Sequence, residues 1–437
     1  MRRGFLLNKS LSDEGKSGRQ PVSSASKPLN KETERGVHGE AREPRATAEV
    51  ARVPIPAIHI PAIPHHELIA AALTLGTQIT LHVVHLPLPP SDLAYAEHTT
   101  TCILLSGQAP QILASPGFPR DPARPRHAHL YDIRPVPALP APEQINTEVE
   151  LGLFATSSLE PGDLILSERP LLLTLRALPA GSAPGTSADD ILERAAEAMP
   201  ARERRAFLAL RNCKTHGDPR LSRARGIVAT NALGIGSLPG HAGDCAVVCE
   251  RTCRANHSCS PNAVARWDLP SFSVELRARR PVRAGEELTI SYLPDLTLPR
   301  AARVDLLRAS YAFTCACTAC ALSGAARTRS DARRALLARQ RSLGYDDARF
   351  AGWLREGAGE RVVAACESVM ALIDEEGCVE DGVWAVGLHW LCRAYCALGR
   401  DEEARACARR ATGLARAFTG GDGGWARVAE DPRMTEN

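Results

Sequence analysis

Cys315, Cys317 and Cys320 stand within six residues in FTCACTAC (313–320). Three thiols so closely spaced suit a tetrahedral metal such as zinc, which binds thiolates at about 2.3 Å. A fourth ligand is missing locally and must come from elsewhere in the chain. Cys259, in NHSC (256–259), is a candidate. The alternative is a set of ordinary buried thiols, because free cysteine packs as a small hydrophobe. Around Cys259 the loop NHSCSPN (256–262) collects two Asn, a His and a Pro, with no large apolar side chain. Taken alone, Asn256-His257 is turn chemistry. About thirty residues later ELTISY (287–292) alternates as a half-buried strand and ends in Tyr292. The chain has no GxxxxGK(S/T) phosphate loop, no GxSxG elbow and no HExxH pair. Nothing therefore points to P-loop phosphoryl transfer, an α/β-hydrolase triad or a zinc protease.

The elements that must hold these residues begin near 142. LGLFATSSLEPGDLILSERPLLL (151–173) reads as strand, turn, strand, with the turn at Glu160-Pro161-Gly162-Asp163. FSVELRARRPV (272–282) is another strand, and RRPVRAGEELTISY (279–292) places a turn at Ala284-Gly285 before the strand LTISY. ADDILERAAEAMPARERRAFLAL (188–210) reads as helix broken at Pro200. Short strands around one helical insert make a small β-rich α+β domain. From about 331 onward, four segments carry helical periodicity: 331–344, 359–377, 383–399 and 401–418. The last two, joined by AYCALGRDEEA, are similar to one tetratricopeptide-like hairpin.

The remainder sets limits. A chain of 437 residues allows two or three domains. A net charge of +3 gives no basic field, so direct nucleic-acid binding is not expected. Only five of the 53 Lys and Arg residues are Lys, which with the heavy use of Ala reads as coding bias. The fourteen Cys, without a secretory leader, point to reduced intracellular thiols, in nucleus or cytoplasm. LIAAALTLGTQITLHVVHL (68–86) is the nearest approach to a membrane span, but Gln78, two His and several Thr interrupt it, so no membrane is expected. Residues 1–50 are polar and aperiodic, and 51–141 are Pro- and His-rich. Together they read as a largely disordered extension.

Four pieces occur in one order: LGLFATSSLEPGDLILSERPLLL, GIVATNALGIG (226–236), RANHSCSPNAVARWD (254–268) and AGEELTISYLPDLTLPRAARVDLLRASYAFTCACTAC (284–320). The set resembles the SET-domain protein methyltransferases, and within them the branch related to SET-and-MYND lysine methyltransferases. The resemblance implies a SET domain over 142–325 with a helical insert at about 188–215 and a post-SET segment at 311–320. It also implies a knot-like crossing of the later chain beside the 256–262 loop, and a helical C-terminal domain over 326–425. The implied activity is methyl transfer from S-adenosylmethionine to a lysine of a protein substrate, by a chain expected to be monomeric. Ala255, Asn256 and His257 would hold the cofactor, with Asn231 as a second Asn and the backbone of Gly152, Leu153 and Phe154 as a wall. Tyr292 would be the active-site tyrosine and would touch the cofactor, as would Phe313; Tyr311 and Phe313 would line the substrate-lysine channel. Cys259 would join Cys315, Cys317 and Cys320 on a structural Zn2+.

Two departures stand out. The MYND finger is missing, since the stretch between ERPLLL and GIVATNAL holds Cys213 alone, which matches MYND-lacking fungal SET proteins. The usual Gly-x-Gly before LFA reads Glu150-Leu151-Gly152. The lost glycine sits where backbone approaches the cofactor, and it motivates a rival reading: a non-catalytic SET scaffold with a structural zinc. The helical tail either closes one wall of the substrate cleft or forms an independent stabilising layer.

Overall fold

The computed structural model describes residues 71–75, 79–87, 99–136, 150–178, 187–214, 221–342, 347–379 and 383–432. Among them the strands form three sheets. The largest runs β1 (Ala71–Leu75), β2 (Ile79–Leu86), β3 (Thr100–Leu105), β7 (Leu172–Leu175), β9 (His241–Val248), β8 (Leu233–Leu238). A second sheet has the order β10 (Asn256–His257), β13 (Glu287–Ile290), β5 (Leu151–Ala155), β4 (Tyr131–Pro135). The third is β11 (Ala263–Asp268), β12 (Ser273–Ala278), β6 (Leu164–Glu168). With the helices this is the expected α+β class.

The reading of 1–141 as a largely disordered extension needs correction for its described part. β1, β2, β3, the helix α1 (Gln108–Leu113) and β4 all fall inside it. β3 runs parallel to β7, and β4 pairs antiparallel with β5 from Tyr131↔Ala155 to Pro135↔Leu151, so the extension completes two sheets of the domain. The physical reason lies in where the prolines fall. ITLHVVHL has none, and Pro87 comes just after it. Leu81, Val83, Val84 and Leu86 are therefore free to enter the core, each at most 2% exposed. The stretch weighed as a membrane span thus forms the antiparallel pair β1–β2. Among the described residues no helix is long and apolar enough to cross a membrane. The polar 1–50 segment and the proline-rich run at 53–64 lie outside the described residues.

The turn at 160–163 forms as expected: Asp163 N–H donates to the Glu160 carbonyl at 3.0 Å, and Gly162 takes φ +94°. The strands it joins do not pair, however. β5 and β6 lie in different sheets, so the turn is a crossover and not a hairpin. The insert forms α2 (Ala188–Ala198), α3 (Ala201–Leu208) and α4 (Arg223–Asn231). Ser187 and Asp190 make a reciprocal capping box on α2, and Pro200 caps α3 at the expected break.

The C-terminal part is helical: α5 (Arg300–Tyr311), α6 (Thr318–Ala321), α7 (Gly324–Ser342), α8 (Asp347–Arg355), α9 (Gly359–Glu376), α10 (Val383–Ala397), α11 (Asp401–Thr419) and α12 (Trp425–Glu430). The short helices α8 and α12 carry no clear periodic signal in the sequence. A second core forms around Trp390, 1% exposed and stacked on Phe350 at 3.7 Å between ring centres. This layer seats directly on the β-rich part. A Cβ on Gly413 of α11 would lie 2.5 Å from the Pro161 carbonyl, and one on Gly162 would lie 2.7 Å from the Gly413 carbonyl. Only glycine at both positions allows helix and turn to approach so closely.

Candidate functional site

The 256–262 loop is anchored by a short parallel pairing. Asn256 opposes Thr289 and His257 opposes Ile290, while β13 runs antiparallel to β5 with Leu288↔Leu153. Asn262, 1% exposed, clips the crossing from the far end of the loop. Its Oδ1 accepts from Thr289 N–H at 2.8 Å, and its Nδ2 donates to the Glu287 carbonyl at 2.8 Å. The Asn262 side chain thus substitutes for a strand partner of β13.

Asn256 Nδ2 donates to the Leu151 carbonyl at 3.2 Å and to Glu287 Oε1 at 2.8 Å. Gly152 makes room for that arrangement, since a Cβ there would stand 2.7 Å from Glu287 Oε1 and 3.2 Å from Asn256 Nδ2. Burial raises the Glu287 carboxyl above the usual range, against the Asn256 hydrogen bond and with help from nearby Glu150. Glu150 itself turns to Arg211, 2.8 Å away. Leu153 and Phe154 place their side chains in the core, and their backbone in the β13–β5 ladder.

His257 is held on both ring nitrogens. Tyr292 N–H donates to Nδ1 at 3.0 Å, which assigns the ring proton to Nε2, 3.3 Å from Cys259 Sγ. Burial pulls its pKa down to about 4, so the ring is neutral. The Tyr292 hydroxyl donates to the Ala255 carbonyl at 2.9 Å. Tyr292 stacks obliquely on Tyr311 at 4.9 Å, and His257 lies 5.3 Å from Tyr292 and 6.3 Å from Phe313. A left-handed Ala312 (φ +58°) ends α5 and carries the chain from buried Tyr311 to half-buried Phe313. The Asn231 carbonyl accepts from Cys253 Sγ at 3.3 Å, two residues before Ala255. Asn231 ends α4 at 2% exposure, and its Nδ2 donates to the Arg211 and Ile227 carbonyls at 2.7 and 2.8 Å.

Cys259, Cys315, Cys317 and Cys320 come together with all four sulfurs within 4.8 Å of one another. A zinc–thiolate tetrahedron has sulfurs about 3.8 Å apart, so the donor set fits zinc in number, type and spacing. Cys259 Sγ is 3.5 Å from Cys320 Sγ, and Cys259 N–H donates to Cys317 Sγ at 3.4 Å. Hydrogen bonding from Cys259, and then from Cys315 and Cys320, holds the Cys317 thiol well below the ordinary cysteine range. Cys315 is correspondingly raised by its bond to Cys259.

Behind the cluster stands a buried network with no signal in the sequence. Arg334 of α7 is fully buried. Its Nε meets Glu376 Oε2 of α9 at 2.9 Å, and its Nη1 donates to the carbonyls of Cys259 at 3.1 Å and Leu296 at 2.5 Å. Ser260 Oγ donates to the Glu376 carbonyl at 2.6 Å. The helical layer therefore grips the same loop that carries Asn256, His257 and Cys259.

Residues 150–293 match the family described as SET domain. The chain is 42% identical over 67 residues to the chicken (Gallus gallus) protein-lysine N-trimethyltransferase SMYD5, covering 15% of this chain and 16% of that protein. Against human (Homo sapiens) N-lysine methyltransferase SMYD2 it is 43% identical over 65 residues, 15% of this chain and 14% of the relative. The histone-lysine N-methyltransferase set5 of Schizosaccharomyces pombe matches more broadly, at 28% identity over 215 residues, 49% of this chain and 58% of the relative. The chain thus carries a SET domain related to the SMYD and Set5 lysine methyltransferases. It spans about a seventh of the length of the SMYD relatives and just over half of set5.

Proposed function

We propose that this chain is an S-adenosylmethionine-dependent protein-lysine N-methyltransferase with a structural zinc held by Cys259, Cys315, Cys317 and Cys320. The observation that carries the reading is the joining of Tyr292 to His257 and Ala255. The Tyr292 N–H sits on the neutral imidazole and its hydroxyl on the Ala255 carbonyl, beside Tyr311. This arrangement fixes a phenol two residues beyond β13.

S-adenosylmethionine supplies a methyl group on a sulfonium, an electrophile that demands alignment more than proton transfer. Asn256, His257, Ala255, Asn231 and the backbone of Gly152 to Phe154 are the residues that would hold it. Arg211 engages the Glu150 carboxylate at 2.8 Å, so the residue standing in place of the usual glycine has a partner outside that set. Tyr292, Tyr311 and Phe313 would wall the lysine channel. Burial among aromatic rings disfavours the ammonium form, whose ordinary pKa is about 10.4, and so favours the amine that attacks. The ring faces stabilise the methylated ammonium that results, by cation–π attraction. The Tyr292 hydroxyl orients the amine.

Purified chain, labelled S-adenosylmethionine and a proteome array test the reading. Transfer to lysine is expected, and Tyr292→Phe should lower turnover by roughly 100-fold through lost alignment, with binding of the methyl donor by calorimetry unchanged. Normal binding with no transfer to any lysine refutes the activity. Absence of binding by the wild-type chain favours the scaffold reading.

A further inference from the structure

Six residues of the helical insert, 209–214, touch all four pieces of the site. Arg254, which leads into the 255–257 loop, donates through Nη2 to the Ala209 carbonyl at 3.1 Å. The Arg211 side chain meets Glu150, just before β5, at 2.8 Å, and its carbonyl accepts from Asn231 Nδ2 at 2.7 Å. The Cys213 N–H donates to Thr230 Oγ1 of α4 at 3.1 Å. Asn212 braces the turn by accepting from the Lys214 N–H at 2.9 Å. Gly226 of α4 leaves room for it, since a Cβ there would lie 2.4 Å from Asn212 Nδ2. At the far end, Lys214 Nζ donates to the Ser310 carbonyl in the last turn of α5. The last carbonyls of a helix have no intrahelical partner and carry the negative end of its dipole, so an ammonium suits the position. Ser310 precedes Tyr311, and left-handed Ala312 then leads to Phe313. Lys214 is the one lysine of the chain outside residues 9–31.

We infer that segment 209–214 is a clip that sets the lysine-channel side of the site against its methyl-donor side, with Lys214 the positioning residue for the channel. The inference rests on the methyltransferase reading above. Arg211 serves the donor side, because Glu150 stands two residues before Gly152 and the Arg211 carbonyl holds Asn231. Lys214 serves the channel side, because it tethers the end of α5 from which Tyr311 and Phe313 extend. In-line transfer depends on where those aromatic walls hold the amine. The Arg211–Glu150 pair is half-exposed, and such pairs add little stability, so its contribution is geometric. Arg211 and Cys213 are pinned to α4 independently of Lys214. Loss of the Lys214 tether therefore frees the end of α5 and leaves the donor side in place.

The test uses the full chain, labelled S-adenosylmethionine and the protein that the wild-type chain labels most strongly on a proteome array. Lys214→Met should lower kcat with that substrate by about 10-fold, since a misplacement of about 1 Å can cost about 100-fold. Calorimetry should give this variant the wild-type Kd for S-adenosylmethionine. Lys214→Arg, which keeps a charged donor, should recover most of the rate. Arg211→Met should do the reverse: donor binding weakened by about 3-fold, the scale of a half-exposed ion pair, with kcat at saturating donor unchanged. A wild-type chain that transfers to no lysine overturns the methyltransferase reading and this inference with it. Given transfer by the wild type, unchanged kcat in Lys214→Met overturns the inference alone. So does a Lys214→Met chain whose donor affinity falls as far as its kcat, because the residue would then brace the whole domain. Lys214→Arg as slow as Lys214→Met is equally refuting, because the donated hydrogen bond would not be what counts. If Lys214→Met does not fold, Lys214→Gln decides in the same way, with wild-type kcat again the refuting result.

Discussion

Glu376→Leu is the sharpest perturbation of the coupling between the helical layer and the 256–262 loop. Glu376 is 3% exposed and accepts from Ser330 Oγ at 2.6 Å, Arg333 Nε at 2.6 Å and Arg334 Nε at 2.9 Å. Arg333 has a second partner in Glu375 at 3.1 Å and remains partly solvated. Arg334 has neither advantage, so the substitution leaves a fully buried guanidinium without a carboxylate. Removing one partner of a buried pair costs about 3–5 kcal/mol. For a body of this size that corresponds to a fall in Tm of roughly 5–15 °C. The Arg334→Met, Glu376→Leu double variant should recover only part of the loss. An apolar pair is often a neutral replacement for a buried ion pair, but here the carbonyls of Cys259 and Leu296 also lose their guanidinium donor. Each such loss costs about 1–3 kcal/mol. Urea unfolding followed by tryptophan fluorescence measures all three chains. A Glu376→Leu midpoint within error of wild type refutes the claim that Arg334 depends on Glu376. A double variant as stable as wild type refutes the role given to the two carbonyls.

Two further outcomes follow from the site itself. Cys259→Ala should lose the zinc held at one per chain by the wild type and loosen Tyr311 and Phe313, read as zinc content by atomic absorption and as altered tyrosine fluorescence; normal zinc content rejects Cys259 as a ligand. Glu287→Gln should raise Tm at neutral pH but not near pH 4. The folded-state pKa of Glu287 is raised, so its contribution to stability is fully present below the ordinary glutamate value of about 4.3 and is lost as pH rises through the folded value. The amide removes that loss and keeps an acceptor for Asn256. A wild-type-minus-variant Tm difference that does not change with pH rejects the assignment.

What can be read from the sequence depends on how far each residue type departs from its background. Cys315, Cys317 and Cys320 are legible because closely spaced thiols are rare and metal chemistry is local. Cys259 is one candidate among many until the family pattern singles it out, since 56 residues separate it from Cys315. β2 is hidden by averaging: the proline density of 51–141 masks the proline-free run 65–86 in which its eight residues lie. The turn at 160–163 shows that the chain bends there, but turn chemistry is blind to which sheet edge receives the next strand, so the split of β5 and β6 between sheets is not legible. Arg334 and Glu376 are invisible for the opposite reason to the cysteines. In a chain so rich in Arg, one more carries no information, and its partner lies on another helix, 42 residues away. Yet this pair holds the loop from behind. The family motifs mark where chemistry would happen. The groups that fix those motifs in place are common residue types made exceptional only by burial, which is a property of the fold.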